Sequence, residues 1–434
     1  MWRLAYRSLR AITFAQYWIQ RRFSRAGVFV LGATVLAGAL GADTNQTVAY
    51  QIFALLASLL LVAFLAGLFR PPAAIMERTL PRVVTAGDAF SYSVRIRSRE
   101  NRPIKGLSYL EGLADPRPSF EEFRSRLKFP TYRGFWRLTR ERQIAEIDET
   151  PVPELPPHGD IIVKVQGRAW RRGLLRFESA VAARHEALGL FRGVATSAQP
   201  QNLISLPRRY ALPAIAFPGT RRYQPGGVSL AISVGDSEEF VGLRDYRPGD
   251  PLQRVHWKSF ARAGNPVVKE YQDEFFARQA LVLDTFGGPE VLAEFEEAVS
   301  VAASFACTVD TQESLLDLLF VGDQAYCYTA GRGQVQTAAL LEVLAGVKLA
   351  QGARFGALHD AVMARAGGAS GCLLIFIAWD EARRALADAL RAQGLPLLAM
   401  LVSARDLPGT PAWVHRIEPG KAGQGLARLA SRLS

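Results

Sequence analysis

Two uncharged stretches near the N-terminus constrain this chain more than any other feature. No charged residue occurs from Ala26 to Ala42, and none from Thr44 to Phe69, where Ile52–Phe69 is almost wholly apolar. A helix needs about 20 such residues to cross the hydrocarbon of a bilayer, so the second stretch is comfortably long and the first is at the short end. Only Asp43 and a few polar neighbours separate them, which predicts a tight hairpin of two transmembrane helices over residues 26–70. Arg3, Arg7, Arg10, Arg21, Arg22 and Arg25 precede the hairpin with no acid among them, and Arg70, Arg78 and Arg82 follow it against Glu77 alone. The connecting loop has neither Lys nor Arg. This asymmetry places both ends, and the large remainder of the chain, in the cytoplasm.

A cleaved leader is the competing reading, because Ala39-Leu40-Gly41-Ala42 resembles a cleavage site. The preceding basic region is too long for that, and a second span follows at once. The sequon Asn45-Gln46-Thr47 lies almost at the bilayer surface and decides nothing. Residues 1–25 form a basic cytoplasmic segment in which Trp2–Gln20 alternates apolar and basic positions at roughly helical spacing. It suits either an amphipathic helix on an anionic leaflet or a solvated leader. Tyr17, Trp18 and Phe23 stand where interfacial aromatic residues belong.

At 434 residues the chain is too long for one core, so soluble domains follow the anchor. The net charge of +12 is spread along the sequence, without zinc-finger, RNP-like or helix-turn-helix patterns, and nucleic-acid binding is not expected. Cys307, Cys327 and Cys372 are an odd, widely spaced set in apolar segments, which reads as buried free thiols.

From 78 to 205 short alternating runs replace long apolar ones. Ala89–Arg97, Ile161–Val165 and Gly173–Val181 read as strands between Gly and Pro punctuation, as in a β-sandwich-like domain. Phe120–Glu149 interrupts that spacing with basic and aromatic residues, an insertion whose cations face headgroups or solvent.

The most distinctive segment is GDSEEFVGLRDYRPGDPLQRVHWKSFARAGNPVVKEYQDEF, residues 235–275. Asp250-Pro251 predicts a helix start, Gly264 its C-terminal stop, and Asn265-Pro266 an extended strand to Phe275. Glu238, Arg244, Asp245, Arg247, Asp250, Arg254, Lys258 and Arg262 crowd the segment with both signs of charge and suggest a salt-bridge network. The run Arg244-Asp245-Tyr246-Arg247-Pro248-Gly249-Asp250-Pro251, the step His256-Trp257-Lys258 and the Glu270 strand resemble the family called domain of unknown function 58. Arg171-Arg172-Gly173 and Gly189-Leu190-Phe191-Arg192 resemble its sandwich region. The resemblance implies a bacterial inner-membrane protein of α+β multidomain class, with a von Willebrand factor A-like C-terminal domain in residues 225–434. It also implies a MoxR-type AAA+ ATPase as partner, together with an unknown client.

After the motif, apolar strands alternate with helices, the order of an α/β sheet. In von Willebrand A domains a DxSxS motif after the first strand binds a divalent cation. Here the run is Asp284-Thr285-Phe286-Gly287-Gly288, so Phe286 and Gly288 replace both serines. Asp284, even with Asp380 as a second carboxylate, is a degenerate site for Mg²⁺ or Ca²⁺, which require several oxygen ligands. No nucleophile elbow, HExxH pair, P-loop or dinucleotide fingerprint occurs. A noncatalytic interaction or assembly protein is expected. The alternative is an enzyme of envelope metabolism working near Asp284 and His256.

Overall fold

The computed structural model describes residues 2–41, 47–69, 71–212, 239–250, 252, 255–272, 277–308, 314–330, 334–350 and 352–433. The sequence readings at Asp43, Asn45, Gln46, Arg70, 235–238, Pro251, Arg254 and 273–275 lie outside these residues. Three helices open the chain: α1 (Trp2–Arg22), α2 (Arg25–Leu40) and α3 (Thr47–Phe69). Within α3, Val48–Phe69 is long and apolar enough to cross a membrane. The expected pair of spans is reduced to one such helix. The 16 residues of α2 reach only about 24 Å, short of the roughly 30 Å hydrocarbon core. Its ends explain the length. Ser24 caps it by accepting a bond from Gly27 N at 2.9 Å, and it closes at Gly41. The two helices pack antiparallel, with Gly38 facing Phe53 and Gly41 facing Tyr50.

The helix expected over Trp2–Gln20 is present as α1. Its Trp2, Tyr6 and Leu9 face packs on Phe120, Phe123, Phe135 and Leu138 of the insertion. That insertion forms α4 (Phe120–Arg126) and α5 (Tyr132–Arg142), so protein rather than lipid covers this apolar stripe.

The sandwich contains β1 (Ala74–Thr79), β2 (Val83–Thr85), β3 (Ala89–Ser98), β4 (Leu107–Leu113), β5 (Ala145–Ile147), β6 (Thr150–Val152), β7 (Asp160–Ala169), β8 (Gly173–His185) and β9 (Arg192–Leu206). One sheet has the order β1-β3-β7-β5 and the other β2-β9-β8-β4-β6. Alternate residues such as Tyr92, Val94 and Ile96 point inward and meet Tyr109, Phe177 and Leu203 of the facing sheet. One polar link crosses this core. Buried Glu111 of β4 accepts bonds from Tyr109 Oη, from Tyr92 Oη at 2.8 Å and from Arg78 Nη1 at 3.1 Å. Three donors offset most of the cost of burying the carboxylate.

The turn between β8 and β9 docks at the base of the helical hairpin. Glu186 shapes it by accepting bonds from Leu190 N (2.6 Å) and Phe191 N (3.1 Å), and Gly189 adopts φ 68°. Leu190 and Phe191 pack among Phe23, Val30, Leu59, Leu60, Ala63 and Phe64. Gly27 and Gly67 permit the approach, since a Cβ at either would strike the Leu190 carbonyl or the Phe191 ring.

A two-stranded ribbon follows, β10 (Glu239–Asp245) with β11 (Val267–Gln272), enclosing α6 (Trp257–Ala263). The C-terminal domain then runs β12 (Ala277–Leu283), α7 (Leu292–Thr308), β13 (Ser314–Val321), β14 (Ala325–Ala330), α8 (Gln334–Gly346), α9 (Gly356–Ala366), β15 (Gly371–Phe376), α10 (Glu381–Ala392), β16 (Leu397–Val402), β17 (Val414–Ile417) and α11 (Ala422–Leu433). Its sheet order is β14-β13-β12-β15-β16-β17, parallel except for β14. This mixed sheet, with buried residues on both faces, is consistent with an α/β, von Willebrand A-like fold. Of the three thiols, Cys372 is buried and its pKa is pushed up to about 12 by desolvation, whereas Cys307 is exposed at the end of α7, contrary to expectation.

The sandwich and this domain share apolar packing, since Leu206 belongs to the core formed by α7, α8 and the sheet. Arg172, just before β8, bolts the two together. Its Nε donates to Leu344 O (3.1 Å), its Nη2 to Val347 O (2.6 Å), and its Nη1 pairs with Glu296 over the Phe295 ring. Burial pulls the Arg172 pKa down, and Glu296 opposes that.

Candidate functional site

The charged motif is organised by a turn rather than by a helix start. Arg247-Pro248-Gly249-Asp250 closes with Asp250 N donating to Arg247 O at 3.0 Å, and Gly249 takes φ 109° after Pro248. Proline followed by a residue of positive φ is the signature of a type II turn. The Asp250 carboxylate, expected to cap a helix, is engaged elsewhere. It receives Arg244 Nη1 at 2.7 Å, Arg244 Nη2 at 2.8 Å and Arg247 N at 2.9 Å. These donors, Arg244 first, lower its pKa to about 2. The helix begins instead at Trp257, with His256 as its N-cap residue and no side-chain cap.

Among the described residues, one ion pair of the predicted network is present. Arg244 and Asp250 form a bidentate pair, while Asp245, Arg247 and Lys258 are exposed. Tyr246 N donates to Pro266 O (2.9 Å) and His256 N to Val267 O (2.9 Å), tying the turn and helix to β11. Gly264 ends α6 at φ 72°, as expected of a C-terminal glycine. Glu270 pairs through its backbone with Gly242; its side chain lies outside the described residues.

Several large apolar side chains of this motif stand outward beside its exposed charges, while Val255 and Val268 are buried. His256 Nδ1 lies 2.7 Å from the Ser259 hydroxyl. Trp257 is 60% exposed, Leu252 66% and Leu243 43%. Among the described residues no hydrogen bond or ion pair joins His256 to Asp284 or Asp380.

Asp284 and Asp380 meet on a different residue, which the sequence reading missed. Asp284 follows β12 at the switch point of the sheet, where the strand order reverses toward β15. It is fully buried, and burial pushes its carboxyl pKa up. Its oxygens accept Phe286 N (2.9 Å), Ile377 N (3.2 Å), Arg383 Nε (2.7 Å) and Arg383 Nη2 (3.1 Å). Asp380 caps α10 through Arg383 N at 3.0 Å and pairs with the Arg383 guanidinium. Arg383 also donates to Phe286 O at 2.7 Å and lies over the Phe355 ring. Burial works against its charge, and the two carboxylates outweigh burial and hold its pKa up.

These residues do not fit a divalent cation. The guanidinium already answers both carboxylates, and the Thr285 hydroxyl donates to Val321 O. Phe286 and Gly288 contribute no side-chain oxygen. One signal in the sequence pointed to Arg383: a cation in the first turn of a helix is unfavourable unless an acid holds it.

With this geometry in place, comparison with known proteins adds one family. Residues 242–363 match the family described as Protein of unknown function DUF58. The DUF58 match takes in most of the β10–β11 ribbon, α6 and the sheet through β14, and stops before Asp380 and Arg383. An uncharacterized protein of Bacillus subtilis (strain 168), YeaD, is 26% identical over 178 residues, 40% of this chain; the match spans 42% of that protein. Among solved structures, Escherichia coli α2-macroglobulin is 14% identical over 33% of this chain and 8% of its own, at a TM-score of 0.20. A CARDB domain from Pyrococcus furiosus is 12% identical, covering 31% of this chain and 96% of its own, at 0.16. At these TM-scores the likeness carries no argument.

Proposed function

We propose that the chain is a noncatalytic interaction protein of the bacterial inner membrane. The α2–α3 hairpin anchors it, with both ends in the cytoplasm, and the motif presents a surface to a protein partner. The observation that carries this reading is the outward set Trp257, Leu252 and Leu243, beside a turn held by Arg244 and Asp250. Contiguous exposed apolar patches mark contact surfaces, and these three side chains come from one stretch of the chain running from β10 to α6. The arginine asymmetry around the hairpin supports the orientation. The resemblance of the motif to domain of unknown function 58 supports a MoxR-type AAA+ ATPase as the partner, acting on a client in protein-complex or envelope maturation.

The test is retention of a purified MoxR-type ATPase from the same cell by the full chain in detergent. Wild type is expected to retain it and Trp257→Ala to lose it with an unchanged melting temperature. Equal retention by both proteins, or none by wild type, overturns the reading.

A further inference from the structure

The insertion and the sandwich enclose a second surface, away from the ribbon. A groove of about 1140 Å³ runs between α5 and the end of β7, with Trp136 on one wall and Trp170 on the other. Both rings are partly exposed, at 43% and 49%; Tyr132 stacks edge-on against Trp136 at 6.2 Å, and Arg168 covers one face of Trp170 at 5.2 Å, leaving the rest of that ring to the groove. Arg133, Trp136, Arg137 and Arg140 fall at i, i+3, i+4 and i+7, a single stripe of α5 facing the groove. Four arginines line it against two glutamates, Glu141 and Glu146. Glu141 is already paired with Arg126 at 2.9 Å and Arg137 at 3.9 Å. Arg133, Arg140 and Arg171 have no ion pair among the described residues.

Position decides between lipid and protein as the occupant. Ser98, at one end of β3, pairs with Ala74, just after α3. Ala89, at the other end, pairs with Arg168, two residues before Trp170. Trp170 therefore lies about 30 Å along the strands from the apolar helix, which takes that wall beyond the headgroups at that helix's end, while Tyr132 at the other wall accepts a bond from Gln16 of α1 at 3.3 Å. A nucleic-acid strand would bring phosphates against Glu146, whereas a protein segment can space its carboxylates to meet only the arginines. Exposed tryptophan and arginine are also the residues most enriched at protein–protein hot spots.

We infer that the groove between Trp136 and Trp170 docks an acidic segment of a partner protein, whose carboxylates meet Arg133, Arg140 and Arg171 while apolar or proline side chains lie on the rings. This surface is independent of the one at Trp257.

The probe is a fluorescein-labelled twelve-residue peptide of Glu, Pro and Leu, titrated by anisotropy into the full chain in uncharged detergent. The same peptide with Lys for Glu and a labelled twelve-nucleotide oligothymidylate serve as comparators. The acidic peptide is expected to bind most tightly and to weaken as salt rises. Trp136→Ala and Arg140→Glu should each weaken it by about tenfold or more, while Arg140→Lys stays much nearer to wild type. All three variants should melt like wild type, because both side chains are exposed. Absence of acidic-peptide binding, equal binding of the lysine peptide, tighter binding of oligothymidylate, or unaltered affinity in Trp136→Ala and Arg140→Glu overturns the inference.

Discussion

Arg383 Nε lies 2.7 Å from Asp284 Oδ2, so the charge at the centre of the strand-end crevice is balanced by a covalent part of the chain. A cation that cannot dissociate makes this end of the sheet indifferent to divalent metal. Millimolar Mg²⁺ or Ca²⁺ is expected to leave the wild-type melting temperature unchanged. Arg383→Ala strands a buried carboxylate and should cost roughly 3–5 kcal/mol in denaturant unfolding. Calorimetry that finds a tight metal site, abolished by Asp284→Ala, contradicts this.

The Arg244–Asp250 pair sets a pH dependence with a definite sign. The Asp250 pKa of about 2 lies below the ordinary aspartate value of about 3.9. Its contribution is therefore complete above about pH 4 and is lost as pH falls toward 2. The gap in melting temperature between wild type and Asp250→Asn should be widest above pH 4 and narrow below it. Asp245→Ala, at an exposed position, should melt close to wild type. A gap that widens in acid would exclude the pair as its source.

Arg172 couples two domains through three contacts of one side chain. Arg172→Ala leaves the carbonyls of Leu344 and Val347 without their donor and the part-exposed Glu296 without its partner, and roughly 1–3 kcal/mol is the expected loss. Calorimetry of the full chain should show its single transition broaden or split. Arg172→Met retains packing on Phe295 and should fall between the two. A sharp single transition in Arg172→Ala would mean that the apolar contact at Leu206 suffices.

Close approach at Gly27 and Gly67 yields a packing prediction. Gly27→Val or Gly67→Val pushes the helical hairpin off the β8–β9 turn, an overpacking cost of about 1–3 kcal/mol. Limited proteolysis within residues 186–191 should accelerate in both variants. Unchanged cleavage would show that the turn docks without these glycines.

Topology is open to direct measurement. A fluorescent-protein fusion at Ser434 should be bright and an alkaline phosphatase fusion there inactive, with the reverse at Asp43. Phosphatase activity at Ser434 would invert the orientation.

The parts legible in the sequence were those fixed by local pattern. The runs at Leu281–Leu283, Cys372–Phe376 and Leu398–Val402 are apolar on both faces and announce themselves as central strands. Alternation in Ala89–Arg97 likewise revealed β3. By contrast β9 escaped notice because Thr196–Asn202 is polar and carries Pro200, and α9 because it opens on Gly356 without a side-chain cap. Apolarity alone could not show that α2 would stop at Gly41. The Asp284–Arg383 pairing spans 99 residues, a separation to which no local pattern is sensitive. Asp250 misled for a different reason: its neighbours advertise a helix cap, but Arg244 across the turn competes for the same oxygens.

One strand touches everything that matters mechanically. The 13 residues of β8 extend about 40 Å. Arg172, locked into the C-terminal domain, adjoins one end of the strand, and at the other the Leu190–Phe191 tip sits against α2 and α3. Extended backbone in the middle of a sheet does not stretch easily, and the register shift at Phe177–Ser179 is the place where β8 can bend. A tug or twist exerted on the C-terminal domain is therefore delivered along β8 to α2 and α3 as a push-rod delivers it.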